Sequence, residues 1–423
     1  MMWTLVLLIS SILIYASFGL KSVIFISFSA LSTYLAARFM KKNKLVFYST
    51  LIVNILILIF FKIISFDNIF NISILVPLGI SYYTFTVLGY LIDVYKGKIR
   101  PEKNFFKYLL YVFYIPYLFI GPITRYDKIR DSLRLKRRLN INNFFNGLVK
   151  ITWGLFKKFV VAGRISIIIN TISSDTATYS GAYVLLALIL YSLQLYYDFS
   201  GGIDCVIGVS EILNIKVGEN FNTPYLSESI QEFWRRWHIS VSSWFKDYIY
   251  IPLGGNRCSK LRNKINLIIT FVVSGIWHGI HYTLWGLIHG LLVAFTPKKL
   301  TKFKPINVLI TFLVVSMLWI FFIYPDTLTS LQMFGTIFTT FNYVDLFNNI
   351  CNLGLNNINV IITIITIIIL IISDIKLEDI SNRVEKLKID KKLIIILVLF
   401  TITLLFGIYG LGFEKNSFIY SRF

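Results

Sequence analysis

The chain has 423 residues, of which 56% are hydrophobic and 15% charged, and a formal net charge of +21. Soluble domains are about 45–50% apolar and about 25% charged, so a soluble fold is excluded. Long Ile/Leu/Phe runs likewise exclude a transmembrane barrel, whose strands alternate.

The apolar runs follow one another with short basic loops between them, as the positive-inside rule expects, and no basic-aromatic nucleic-acid module is present. Residues 2–18 lack a basic start and a small-residue cleavage site, so they read as a first span and not as a signal peptide. Spans are predicted at 22–39, at 45–64 (interrupted in charge only by Lys62) and at 75–94, which carries Pro77 and Gly79 near its start. The run 108–123 is short, contains Pro116, Gly121 and Pro122, and has basic residues on both sides. Entering and leaving by one face predicts a re-entrant or interfacial helix, which needs cover from protein or a water-filled cavity.

Two more spans are predicted at 144–172 and 182–199. Residues 201–213, with Asp204 in apolar surroundings, predict a separate short buried element. The run 265–295 would be about 46 Å long as a helix, too long for one span and too short for two. With Gly275 and Gly279 near its middle it predicts a broken or re-entrant helix pair, Trp277 and His278 at the apex. Spans at 308–323, 360–372 and 393–411 complete the chain. Charge assigns the loops around 41–44, 96–107, 125–138, 235–264, 298–304 and 376–392 to the cytoplasm, and those around 66–73, 173–181 and 326–359 to the outside. The fold class is therefore an all-α polytopic membrane protein with re-entrant or broken helices, organised as one domain over 1–423.

Chemistry concentrates in two stretches. On a helix over 228–250, Trp234, Trp237, Val241, Trp244, Phe245 and Tyr248 form one face at three- and four-residue steps. His238 falls on that face, and Arg235, Arg236 and Lys246 fall off it. Such a helix lies in the membrane interface, where His238 reads equally as structural or functional. His278, flanked by Trp277, Gly275 and Gly279 in an apolar run, is the sharper candidate. An imidazole at membrane depth is costly and marks a cavity or polar pathway, and a neutral one can take a proton from an acceptor hydroxyl. His281 and His289 read as structural. Gln194, Tyr196, Tyr197, Asp198, Ser200 and Asp204 form a polar cluster. Its acids either bind a cation or orient a histidine, or else satisfy the backbone of a broken helix. Cys205, Cys258 and Cys351 are too scattered for a disulfide framework or a cysteine metal site. No nucleophile elbow, phosphate loop or dinucleotide fingerprint is present.

The stretches Gln231-Glu232-Phe233-Trp234-Arg235-Arg236-Trp237-His238-Ile239-Ser240, Asp247-Tyr248-Ile249-Tyr250-Ile251-Pro252-Leu253-Gly254-Gly255-Asn256-Arg257 and Ser274-Gly275-Ile276-Trp277-His278-Gly279 together resemble the membrane-bound O-acyltransferase family, in its alginate O-acetyltransferase-like bacterial branch. Tyr197-Asp198-Phe199-Ser200-Gly201 and the ending Phe418-Ile419-Tyr420 extend the likeness. The resemblance implies a multi-helix fold around a central tunnel in the bacterial cell membrane. It implies catalytic roles for His278 and His238, with Trp234, Trp237, Trp277, Asp198, Asp204 and Gln194 along the tunnel. It also implies no bound cofactor or metal, and a donor that is acetyl-CoA or another acyl thioester. The implied acceptor is a hydroxyl of a cell-surface or secreted polysaccharide, and an external SGNH-type acetyltransferase is an implied partner. Two alternatives stand beside it. One is D-alanyl transfer from a carrier protein to teichoic acid, whose branch matches less well at 252–257. The other is a transporter or lipid flippase, which buried histidines and broken helices also suit.

Overall fold

Small polar residues set where the helices begin. Asn104, Asn140, Ser229, Ser259, Asp326 and Asn356 each accept a backbone N–H from the first turn of the helix that follows, satisfying donors that no intrahelical carbonyl reaches. The computed structural model describes all residues except 1, 42, 68–75, 135–139, 325 and 410–423. Most of the loop around 66–73, part of that around 125–138 and the ending Phe418-Ile419-Tyr420 therefore lie outside the described residues. Among the described residues every regular element is helical.

Helices α1 (Met2–Ala16), α2 (Leu20–Phe39), α3 (Lys44–Asp67) and α4 (Ile80–Tyr95) come first, followed by α5 (Phe105–Phe113), α6 (Ile115–Phe119) and α7 (Tyr126–Arg134). The expected re-entrant element is the pair α5–α6, broken at Tyr114 and buried in protein through Tyr108, Leu110, Tyr111 and Tyr114. These helices share a tyrosine-rich core that includes Tyr15, Tyr83 and Tyr90.

Helix α8 (Ile141–Leu155) passes through a π-helical segment, Phe156–Ala162, into α9 (Gly163–Ser174), and packs along α10 (Ala182–Ile212). Here the structure corrects the sequence expectation of two elements, since α10 runs unbroken through Gly201 and Asp204. Gly201, at the start of the expected second element, permits a close helix crossing. A Cβ on Gly201 would lie 2.6 Å from the carbonyl oxygen of Gly154 on α8.

The next elements are α11 (Ile230–Arg236), α12 (Ile239–Phe245) and a π-helical segment, Lys246–Tyr250. Helices α13 (Lys260–His278) and α14 (Thr283–Phe295) form a tight hairpin through the short turn Ile280–Tyr282. Gly279, at φ 152° and ψ 157°, ends α13 in a conformation open to glycine. Small residues let the two backbones meet, because a Cβ on Gly275 would lie 2.5 Å from the Tyr282 carbonyl oxygen and one on Gly286 would lie 2.4 Å from that of Phe271. The broken pair expected over 265–295 is this hairpin.

Helices α15 (Lys304–Leu318), α16 (Ile320–Ile323), α17 (Thr327–Thr339), α18 (Tyr343–Asn349), α19 (Asn357–Ile375), α20 (Leu377–Lys386) and α21 (Ile389–Phe406) complete the description. A second core gathers Trp237, Trp285, Trp319, Tyr196 and Tyr197 from several of these elements. Among the described residues five helical stretches are long and apolar enough to cross a membrane: Leu20–Phe39, Lys44–Lys62, Ala182–Ile212, Lys304–Ile323 and Asn357–Ile375. The protein is a polytopic helical membrane protein.

Candidate active site

The single helix expected over 228–250 is interrupted at its histidine. Trp237 is extended, and His238 takes the left-handed conformation, φ 44° and ψ 53°, before α12 begins. That conformation costs a non-glycine residue about 1–2 kcal/mol and persists where the surroundings over-determine it. Segment 220–222 does so. The N–H of Asn222 donates to the Arg236 carbonyl at 3.0 Å, and the N–H of Ile239 donates to the Asn220 carbonyl at 2.9 Å. The Asn220 side-chain oxygen accepts the Ser240 N–H at 3.0 Å. Asn220 thus supplies the acceptors that the broken helix lacks, which the residue spacing alone did not reveal.

The same oxygen orients the imidazole. Asn220 Oδ1 lies 3.3 Å from His238 Nδ1. Because an amide oxygen only accepts, Nδ1 of His238 carries the proton in the neutral ring, and Nε2 is the basic nitrogen. Phe199 packs edge-on against the imidazole, with ring centroids 4.8 Å apart.

His278 ends α13 inside an aromatic box. Its ring centroid lies 4.4 Å from Trp277, 5.5 Å from Trp285 and 5.6 Å from Phe322. Trp277 packs on the tyrosine-rich core and Trp285 belongs to the tryptophan-rich one, so His278 stands at the seam between them.

A cavity of about 330 Å³ joins the two histidines. Its walls include Trp234, Trp237, His238 and His278, and the α13 face that continues down through Ser274 and Thr270. Trp234 is held in place by donating its indole N–H to His289 Nδ1 at 3.2 Å. Gln231 donates to the carbonyls of Val293 and Thr296 at 3.0 and 2.9 Å, tying α11 to the end of α14. Arg235 and Lys246 border the cavity and are exposed, placing two cations at its mouth. Both fell off the apolar face in the sequence pattern, and the break at His238 brings them to one opening.

The remaining sequence candidates stand apart from this cavity. Trp277 backs His278 from outside the lining and packs against Phe85 at 5.3 Å between centroids. Asp198, Asp204 and Gln194 are not on the cavity wall. The two acids do not serve a broken helix, since α10 runs unbroken through both. Asp198 pairs with Lys158 at 2.7 Å and Asp204 with Lys157 at 2.8 Å, so the cations they hold are the chain's own. Both lysines lie on the π-helical segment, which turns two successive residues toward α10. Two lysines inside the run 144–172 were the available signal, because lysines buried at membrane depth take acidic partners.

The model of the membrane-bound O-acyltransferase family matches residues 99–297, a span that includes both histidines. The chain is 35% identical over 277 residues to the probable alginate O-acetylase AlgI of Pseudomonas fluorescens, covering 63% of this chain and 55% of the relative. It is 34% identical over 318 residues to the peptidoglycan O-acetyltransferase of Helicobacter pylori, covering 64% and 60%. It is 32% identical over 290 residues to the teichoic acid D-alanyltransferase of Streptococcus thermophilus, covering 65% and 69%. The chain spans about half the length of the alginate relatives it matches. With a helical membrane fold, a paired-histidine cavity and these matches, the chain belongs to the membrane-bound O-acyltransferase family.

Proposed function

We propose that this chain is a membrane O-acyltransferase that takes an acetyl group from a cytoplasmic thioester, acetyl-CoA, and delivers it toward a hydroxyl of a cell-surface polysaccharide. One observation carries the reading: a single cavity connects a mouth bearing exposed Arg235 and Lys246 with His238 on its wall and His278 at the end of α13. Arg235 and Lys246 hold the donor's phosphates, for which guanidinium and ammonium groups are the usual partners. The apolar, tryptophan-lined wall accommodates the pantetheine arm and excludes water, which would otherwise hydrolyse the thioester.

In this reading His278 is the general base. It takes the proton of the acceptor hydroxyl as that oxygen attacks the thioester carbonyl. The tetrahedral intermediate collapses with cleavage of the C–S bond, and the departing thiolate recovers the proton from His278. The products are an O-acetyl ester and a free thiol, and the enzyme is unchanged. His238, with its basic Nε2 set by Asn220, orients the donor side. Where the glycan lies beyond reach of His278, the hydroxyl acetylated here belongs to an external SGNH-type acetyltransferase, whose ester then passes the acetyl to the glycan hydroxyl and regains its own proton.

Replacing His278 by Ala in the producing cell, with the protein still in the membrane, is expected to abolish surface O-acetyl groups; unchanged O-acetyl content overturns the proposal. D-alanyl transfer is the second reading, favoured by the coverage of the teichoic acid D-alanyltransferase, 69% of its length. Alanine ester content of the cell wall separates the two.

A further inference from the structure

His289 has no part in the chemistry above, yet it is fully buried and its Nδ1 accepts the indole N–H of Trp234 at 3.2 Å. An indole N–H only donates, so Nδ1 of His289 is the bare nitrogen and the ring proton is on Nε2. The two rings meet at right angles with 5.1 Å between centroids. Trp285, one turn earlier on α14, packs against both, 5.7 Å from Trp234 and 4.9 Å from His289. Trp234 is on the cavity wall, whereas His289 and Trp285 stand behind it. The indole is therefore held from the rear by a hydrogen bond and a second tryptophan. That backing has no room to retreat, because α14 presses on α13 here: a Cβ on Gly290 would lie 2.9 Å from the Ile268 Cα.

Trp234 also stands between the mouth and His278. Arg235, the next residue, is exposed at the opening. Trp234 packs edge-on against Phe271, 5.2 Å between centroids, and Phe271 is a wall residue two turns before His278 on α13. The two rings form one continuous aromatic side of the cavity, and α12 supplies other parts of the wall through Val241 and Phe245. When a thioester enters from the mouth, its acyl group leads and the pantetheine arm follows. The acyl group thus passes Trp234 before it meets His278. A passage with a rigid side selects by width more than by length, because a straight chain slides through where a branched one of equal volume does not.

We propose that Trp234 is a specificity-determining residue that gauges the width of the acyl group admitted to His278, and that His289 is the positioning residue that fixes it. The proposal rests on the acyl-transfer reading above and adds a substrate class to it: narrow, unbranched acyl groups enter and branched ones are rejected. One methylene in an apolar pocket changes discrimination by about 10–200-fold, and excess volume is tolerated least where the surroundings are already packed.

The test compares n-butyryl-CoA with isobutyryl-CoA, which share one composition and differ in branching alone, by their binding to the full chain in nanodiscs without acceptor. The wild-type chain is expected to bind n-butyryl-CoA about tenfold more tightly, the low end of that range. W234A removes the indole and H289L leaves its N–H unheld, and both are expected to bring the two affinities together. H289N offers a side-chain oxygen in place of Nδ1 and is expected to keep the preference. A variant that only loosens the fold weakens both ligands alike and leaves their ratio unchanged. Equal affinities in the wild type, or a preference that persists in W234A and H289L, overturns the proposal. H289N behaving like H289L overturns the role given to the His289 acceptor. Thiol release from acetyl-CoA is followed separately in the same preparation: release without branch discrimination defeats this proposal alone, and absence of release defeats the acyl-transfer reading.

Discussion

One oxygen atom, Oδ1 of Asn220, meets both Nδ1 of His238, at 3.3 Å, and the backbone N–H of Ser240, at 3.0 Å. It therefore controls the imidazole and the helix start at the same time. Asn220→Ala is expected to strand a buried donor and to lower stability by about 1–3 kcal/mol, read as an earlier thermal transition in detergent. Asn220→Asp retains an acceptor at the same place and is expected to keep the fold. Equal destabilisation by the two would remove the acceptor argument.

His278→Gln preserves volume and removes the base. Turnover is expected to fall by about 10²–10⁴, the range for loss of general base catalysis, with donor KM unchanged. Thiol release in proteoliposomes measures both. A rise in KM at constant kcat would move His278 from chemistry to donor binding.

Arg235→Ala and Lys246→Ala should act on donor capture alone. Exposed charges contribute about 0.2–1 kcal/mol each, so KM for acetyl-CoA should rise by up to about fivefold per substitution, and the effect should shrink at high salt. A shorter thioester lacking the nucleotide phosphates should be indifferent to either change.

Lys158→Met leaves the Asp198 carboxylate buried without its cation, which is expected to cost about 3–5 kcal/mol. The double variant Lys158→Met/Asp198→Leu removes both charges and should recover most of that loss. Thermal unfolding of the three proteins completes the comparison, and a double variant no better than the single one would contradict the buried-pair account.

Gly286→Leu is expected to force α13 and α14 apart, because even a Cβ would come within 2.4 Å of the Phe271 carbonyl oxygen. Accumulation in the membrane should fall sharply. Substitution of Gly335, whose Cβ would meet nothing within 4 Å, serves as the control and should be tolerated.

Much of this architecture was legible in the residues. Apolar length picked out the stretches Leu20–Phe39, Lys44–Lys62, Lys304–Ile323 and Asn357–Ile375, and the excess length of 265–295 together with Gly275 and Gly279 foretold the hairpin that carries His278. The break at His238 was hidden, because Trp234, Trp237, Val241, Trp244 and Tyr248 keep helical spacing across it. What interrupts the helix is Asn220, whose acceptors become relevant only when a distant segment is brought alongside. Asp198 and Asp204 were recognisable as unusual, yet their partners Lys157 and Lys158 depend on how α8 and α10 face one another. A π-helical segment decides that facing, and the two lysines in the run pointed to acidic partners without showing which ones.

The hairpin also makes segment length a functional quantity. His278 is the last residue of α13, and its height and heading are counted from the start of that helix. One inserted residue below Gly275 would rotate the imidazole by about 100° and raise it by about 1.5 Å, away from the cavity wall and its aromatic neighbours. Gly275, which faces α14, would lose register in the same stroke. Evolution can therefore exchange side chains along α13 more freely than it can add or delete residues there, and grafting this element between related enzymes requires that its residue count be kept.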